Sequence, residues 1–290
     1  MNALQTATRT HIPADKHEFE FTDSDFECLR KLVLKHAGIS LSRHKHVLIY
    51  GRLAKRLRAH GLSRFSDYCH ILQHNPQAEL EFFINAITTN LTSFFREHHH
   101  FDFLSDELKH MMEQHDQRRL RLRAWSAGCS TGEEPYSLAM TLDEAIPDIG
   151  EHDIRILATD LDSNVVKTAA SGIYPMSGIA GLDKRCLKRW FLRGKGEQAG
   201  KVMASPALRK LIDFHQLNLM HDWPMHGPFD VIFCRNVVIY FDDVTKRALF
   251  DRFANMLKPE GLLFVGHAET LRNISSRFEL IGKTIYRRID

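Results

Sequence analysis

Short apolar runs alternate with helix-forming stretches after about residue 118. That alternation confines the fold to a parallel sheet wrapped by helices. Leu120–Ala127 (LRLRAWSA), Ile154–Thr159 (IRILAT), Ile212–Leu217 (IDFHQL), Phe229–Cys234 (FDVIFC) and Gly261–Val265 (GLLFV) have the length and apolar content of strands. Between them, Pro135–Glu144, Ser163–Ser171 and Val244–Leu257 carry helical spacing. Strand and helix in turn predict an α/β, mostly parallel, doubly wound sheet. Phe278–Arg288 has no helix after it and is expected to add one or two antiparallel strands. The rhythm breaks over about residues 175–210, where RGKGEQAG is too glycine-rich for a helix. A small inserted hairpin subdomain is expected there.

The first third reads differently. Phe26, Leu29, Leu32, Val33 and His36 recur at helical spacing after Thr-Asp-Ser-Asp, and Gly38 stops the run. Further helices are expected over Val47–His60, Ser66–Gln73 and about Gln77–Ala86. Residues 21–90 thus form an all-α N-terminal domain, residues 1–20 a loose tail, and residues 91–290 the α/β domain.

The 290 residues are 43% hydrophobic and 26% charged, the balance of a globular soluble chain. Lysine and arginine number 39 against 36 acids, so the net charge is 39 − 36 = +3, too small for a bulk nucleic-acid binder. No run approaches the roughly 18 apolar residues of a membrane span. Met1–Lys16 is polar, without the apolar core of a signal peptide. The five cysteines are scattered and show no CxxC spacing, which favours a reducing cytoplasm.

The first strand runs into Ser126-Ala127-Gly128-Cys129-Ser130-Thr131-Gly132-Glu133-Glu134-Pro135-Tyr136. A glycine turn between strand and helix lets a ligand approach the backbone. The loop has neither GxGxxG nor GxxxxGK[ST], so neither usual phosphate fingerprint is present. Glu133 and Glu134 stand where a phosphate would meet the helix N-terminus and would repel it. They suit a ligand with positive charge, such as the sulfonium and amino groups of S-adenosylmethionine. The plainer alternative is that they satisfy the helix dipole. The second strand ends at Asp160, where an acid commonly takes ribose hydroxyls, while Asp162 has the place of a helix cap. Arg235 and Asn236 follow the strand at 229–234, at the carboxyl edge where such sheets bind ligands. Asn218 is similarly placed, and taken alone fits ordinary loop hydrogen bonding.

TTNLTSFFRE (88–97), SAGCSTGEEPYSLAM (126–140), ATDLD (158–162), LNL (217–219), FDVIFCRNVVIYFD (229–242) and GHAE (266–269) occur in one order. Together they resemble the chemotaxis receptor methyltransferases, the CheR family, over about residues 22–290. The resemblance implies a Rossmann-like class I methyltransferase domain with an inserted small antiparallel β-subdomain, preceded by the helical domain. It implies methyl transfer from S-adenosylmethionine to glutamate side chains of chemoreceptors, with S-adenosylhomocysteine as product. It places cofactor contacts at Asn90, Thr92, Arg96, Glu133, Asp160, Asn218, Leu219, Arg235 and Asn236. Asp160 would hold ribose hydroxyls, Arg96 and Glu133 would neutralise the methionine end, and Tyr240 would lie near the transferable methyl. Arg96 and Arg235 compete to orient the acceptor carboxylate.

From Ser42 to Arg64 the chain has no acid. At about 100° per residue Arg52, Lys55 and Arg56 share one helix face, beside an apolar face of Ile49, Leu53 and Leu57. With the resemblance, that face is expected to dock the acidic methylation helices of a receptor. The alternative is a solvated face. In some family members the small subdomain adds a receptor's C-terminal peptide as an extra strand, and RGKGEQAG resembles their turn. His98-His99-His100 lacks metal-ligand spacing and is expected to be solvent-exposed, so no metal is implied. Cys234 is expected to be a buried strand cysteine. A nucleic-acid methyltransferase is a rival, but CRNVVIY stands where an Asn/Asp-Pro-Pro-Tyr signature would lie. A non-catalytic module sensing the same cofactor is the rival of a different class. A monomer is the default.

Overall fold

The computed structural model describes residues 18–114 and 119–290. Four helices come first: α1 (Asp23–Ala37), α2 (His46–His60), α3 (Phe65–His74) and α4 (Pro76–Ile87). Each boundary has a local cause. Thr22 and Asp25 form a capping box at the start of α1. Gly38 and Gly61 take left-handed conformations at the ends of α1 and α2. Pro76 opens α4, where its missing N–H costs nothing. Residues 18–20 do not belong to a tail. Phe19 is buried, and Glu20 exchanges backbone hydrogen bonds with Ser63 and Phe65. The rest of the expected tail, 1–17, lies outside the described residues.

A helix absent from the sequence expectations, α5 (His99–Gln114), leads into β1 (Arg121–Ala127). Phe101, Leu104 and Leu108 give it a buried stripe at helical spacing. Then follow α6 (Glu133–Ala145), β2 (Asp153–Asp160), α7 (Ser163–Ser171), β3 (Ile173–Pro175), α8 (Lys184–Trp190), β4 (Phe191–Arg193), β5 (Lys201–Ala204) and α9 (Pro206–Arg209). The chain closes with β6 (Ile212–Gln216), β7 (Phe229–Cys234), α10 (Asp243–Met256), β8 (Leu257–Val265), β9 (Phe278–Gly282) and β10 (Ile285–Arg288).

The main sheet has seven strands in the order β6-β2-β1-β7-β8-β10-β9. β6, β2, β1, β7 and β8 are parallel, and the last two strands are antiparallel, as the lack of a helix after residue 278 requires. The crossovers reverse direction between β1 and β7, which creates a crevice at their carboxyl ends. The insertion is a three-stranded antiparallel sheet, β3-β5-β4, rather than a bare hairpin. Its β4–β5 turn contains Gly194, where an added Cβ would sit 2.1 Å from the Gln198 carbonyl oxygen.

Alternate residues of the central strands face opposite cores. On β7, Ile232 and Cys234 join one cluster, while Val231 and Phe233 join the other. The first cluster runs without a break from α1–α4 to α10 and the sheet. A division near residue 90 therefore separates stretches of sequence, not two hydrophobic cores. Cys234 is fully buried. Among the described residues no helix is long and apolar enough to cross a membrane.

Candidate functional site

A cleft of about 410 Å³ opens above the carboxyl ends of β1, β2, β6 and β7. Its remaining wall is built by α2, the loop before it and the segment 87–96. The helical layer thus supplies half of the crevice that the sheet topology creates.

The floor is the turn after β1. Gly128 has φ +106°, and an added Cβ would lie 2.3 Å from a Val237 methyl. Only glycine fits both the backbone and the contact. Ser130 is also left-handed, with φ 48°, and its N–H donates to Asp160 Oδ2 at 2.8 Å. The other oxygen of Asp160 accepts the Asp162 N–H at 3.0 Å. Burial raises the Asp160 carboxyl above its usual range, and these backbone donors oppose that. Asp162 caps α7 through the Asn164 N–H and also receives Asn90 Nδ2 at 2.8 Å and the Thr88 hydroxyl at 2.9 Å. Segment 88–96 is thereby tied to the second strand's turn.

A charged network runs from the cleft wall into the interior. Arg235 Nη1 is 3.0 Å from Glu134 Oε2, and Arg235 Nη2 is 3.3 Å from Glu97 Oε2 and donates to the Arg96 carbonyl. Burial raises the Glu134 carboxyl, and Arg235 pulls against it. Burial also pushes Glu97 upward, but His267 and Arg235 outweigh it and hold its pKa down to about 2. His100 lies against this group and is fully buried, contrary to the exposure expected for the histidine run. Its Nε2 sits 3.1 Å from the Lys283 carbonyl and 3.0 Å from the Thr284 hydroxyl. Burial and the neighbouring Arg235 lower its pKa to about 4. His98 remains exposed. Among the described residues no group of three His, Cys, Asp or Glu could hold a metal.

Two family models match consecutive parts of the chain: an all-alpha domain of CheR methyltransferases over residues 24–88, and the SAM binding domain of the same enzymes over residues 90–287. The chain belongs to the CheR methyltransferase family. It is 43% identical over 272 residues to chemotaxis protein methyltransferase 2 of Pseudomonas aeruginosa, covering 93% of this chain and 94% of that one. The chemotaxis protein methyltransferase of Escherichia coli is 42% identical, covering 91% of both chains. That of Salmonella typhimurium is 43% identical, covering 91% of this chain and 90% of the other.

S-adenosylmethionine is the cofactor of this CheR-family chain, and the cleft fits it. The volume lies in the range of small-molecule sites. Asp160 keeps acceptor capacity beyond its backbone donors, as a ribose diol needs, and Glu134 and Asp160 are the acids on the cleft wall. Asn90, Thr92, Arg96, Asp160, Asn218, Leu219, Arg235, Asn236 and Tyr240 all line this one cleft.

Glu133 does not line it. Its carboxylate accepts the Thr131 hydroxyl at 2.6 Å, and the neighbouring Glu134 takes the place on the wall. Asn218 is also engaged within the protein, donating to the His36 carbonyl at 2.6 Å and accepting the Met220 N–H at 3.0 Å.

The basic face of α2 is not uniformly free. Arg56 makes two 2.6 Å hydrogen bonds to the buried Glu79, which also accepts the Tyr68 hydroxyl. Arg52 donates to the Ile87 and Thr88 carbonyls and to the Thr89 hydroxyl, so it bolts α2 to the end of α4 and lines the cleft. Lys55 is exposed. The apolar face is as expected, with Ile49, Leu53 and Leu57 fully buried.

Sequence reasoning missed two supporting residues. Glu269 of GHAE is buried and accepts the N–H groups of Gly266, Asn236 at 2.9 Å and Ile239 at 3.1 Å, which shapes the turn after β7. Arg252 on α10 donates to the Leu219 and His221 carbonyls at 2.6 Å and stacks on Trp223. GHAE was visible as a motif, but its target was not. Nothing local marks Arg252.

Proposed function

We propose that this CheR-family methyltransferase transfers the methyl group of S-adenosylmethionine to glutamate side chains in the cytoplasmic domains of chemotaxis receptors. The products are glutamate methyl esters and S-adenosylhomocysteine. The observation that carries this reading is the convergence of Arg96, Asp160, Arg235 and Tyr240 on one open cleft in a chain whose relatives are named chemotaxis protein methyltransferases. The protein works in the cytoplasm, where those receptor domains lie.

The bound cofactor supplies an electrophilic methyl on a cationic sulfur. The acceptor carboxylate has an ordinary pKa of about 4.3 and is already ionised near neutral pH. No general base is needed, and the chain's task is alignment and exclusion of water. Asp160 holds the ribose hydroxyls, with Asn90, Thr92, Asn218, Leu219 and Asn236 as the other cofactor contacts. Arg96 orients the incoming carboxylate. Arg235 is occupied by Glu134, Glu97 and the Arg96 carbonyl, whereas the Arg96 side chain spends one donor on the Leu91 carbonyl at 2.9 Å and keeps the rest. Arg235 therefore acts by fixing the backbone of Arg96. Tyr240 lines the cleft and would lie near the transferable methyl of the bound cofactor.

Docking of the acidic receptor helix uses the exposed cations of α2, with Lys55 in place of the internally paired Arg56. Incubation with methyl-labelled cofactor and a panel of receptor cytoplasmic domains tests the reading. Base-labile label on receptor glutamates is the expected result. Label on nucleic acid, or none on any receptor, would sink it.

A further inference from the structure

Leu91 is 81% exposed, Ile239 47% and Leu48 40%. All three line the same cleft, although they come from the segment after α4, the turn after β7 and helix α2. We infer that they form an apolar collar that grips nonpolar side chains flanking the target glutamate on an amphipathic acidic helix. The inference rests on the glutamate reading above and adds what the acceptor segment must look like.

The backbones of the three residues are held in place. Arg96 donates to the Leu91 carbonyl at 2.9 Å, Glu269 accepts the Ile239 N–H at 3.1 Å, and Leu48 lies within α2. Side chains this apolar, fixed at a mouth and left in water, gain on contact with a partner without an ordering cost for the backbone. Charge selects the kind of partner. Lys45, the residue before α2, is exposed at the same mouth three positions ahead of Leu48, and Lys55 is exposed further along that helix. A segment matching this surface carries acids on its outer part and apolar residues one turn on either side of the acceptor. Burying those residues on the collar also strips water from the carboxylate between them. That favours a reaction in which charge is neutralised.

The probes are two designed acidic two-stranded coiled coils, each with one exposed acceptor glutamate. One has leucine one turn before and after it, and the other has serine. Binding is measured by titration calorimetry on the full chain with S-adenosylhomocysteine present, and methylation is measured separately. The leucine design should bind about tenfold more tightly than the serine design. In Leu91→Ser/Ile239→Ser that preference should vanish, with affinity for S-adenosylhomocysteine titrated separately on the same variant. Equal binding of the two designs to wild type overturns the collar. So does a fall in cofactor affinity that accounts for the whole loss. Preference in binding with no methyl ester on either design leaves the collar standing and overturns the glutamate reading instead.

Discussion

Arg235 Nη1 and Glu134 Oε2 form a 3.0 Å ion pair between two buried side chains on the wall of the cleft. The pair joins the end of β7 to the start of α6, the helix that follows β1 on the other side of the topological switch. Removing Glu134 leaves the buried Arg235 with Glu97 as its remaining carboxylate partner. Glu134→Ala should therefore destabilise the protein by about 1.5–3 kcal/mol. Chemical denaturation measures it, and a loss below about 1 kcal/mol would mean that the pair is worth no more than an exposed one.

Arg96 is only half-buried and makes one intramolecular side-chain hydrogen bond. Arg96→Ala should leave the unfolding transition within about 1 kcal/mol of wild type while most methyl transfer to receptor disappears. Near-normal turnover in a receptor methylation assay would remove Arg96 from the mechanism.

The buried His100 makes stability acid-sensitive. Its folded pKa of about 4 lies below the ordinary value of about 6.5, so the unfolded chain binds more protons between those limits. Stability from this group is complete above about pH 6.5 and falls as pH drops towards 4, by roughly 3 kcal/mol in all. Glu97, held at about 2 by His267 and Arg235, adds a second loss below about pH 4.5. Arg235, His99 and Glu97 are the charged groups acting on His100. His100→Gln should flatten the stability profile between pH 4 and 6.5, as read by denaturation at a series of pH values. An unchanged slope would assign the acid sensitivity to other groups.

Charge reversal separates the two cations on the outer face of α2. Lys55→Glu should raise the KM for receptor and flatten its salt dependence without moving Tm. Arg56→Glu should lower Tm, because Glu79 would face a second carboxylate in a buried site. Equal kinetic effects from both, with Tm unmoved, would contradict the Arg56–Glu79 pairing.

Glu269→Ala removes the acceptor of three backbone donors, each costing about 1–3 kcal/mol when left unpaired and buried. The turn carrying Asn236 and Tyr240 should loosen, so kcat should fall and the KM for cofactor should rise together. A variant that loses stability but keeps both constants would make Glu269 purely structural.

Much of the fold could be read from local pattern. The parallel strands and their helices lie within a few residues of where apolar runs and capping residues put them, because strand burial and helix caps are encoded by neighbours in sequence. Helix α5 carries its buried face in Phe101, Leu104 and Leu108, but it opens on a polar histidine run that masks the periodicity. His100 shows the cost. Its burial depends on Lys283 and Thr284, which no local window contains.

The sequence by itself determined the elements, the glycine turn at Gly128, the acid at Asp160 and the motif set that places the chain among CheR methyltransferases. Those depend on backbone preferences and spacing, which are local. The tertiary structure alone decided which side chains are free. It put Glu134 rather than Glu133 on the cleft wall, spent Arg56 on Glu79 and Arg52 on the end of α4, and paired Arg235 with two carboxylates while leaving Arg96 with donors to spare. Charge can be counted along a chain, but a charge becomes available or occupied only when distant segments pack and a partner arrives within hydrogen-bonding distance.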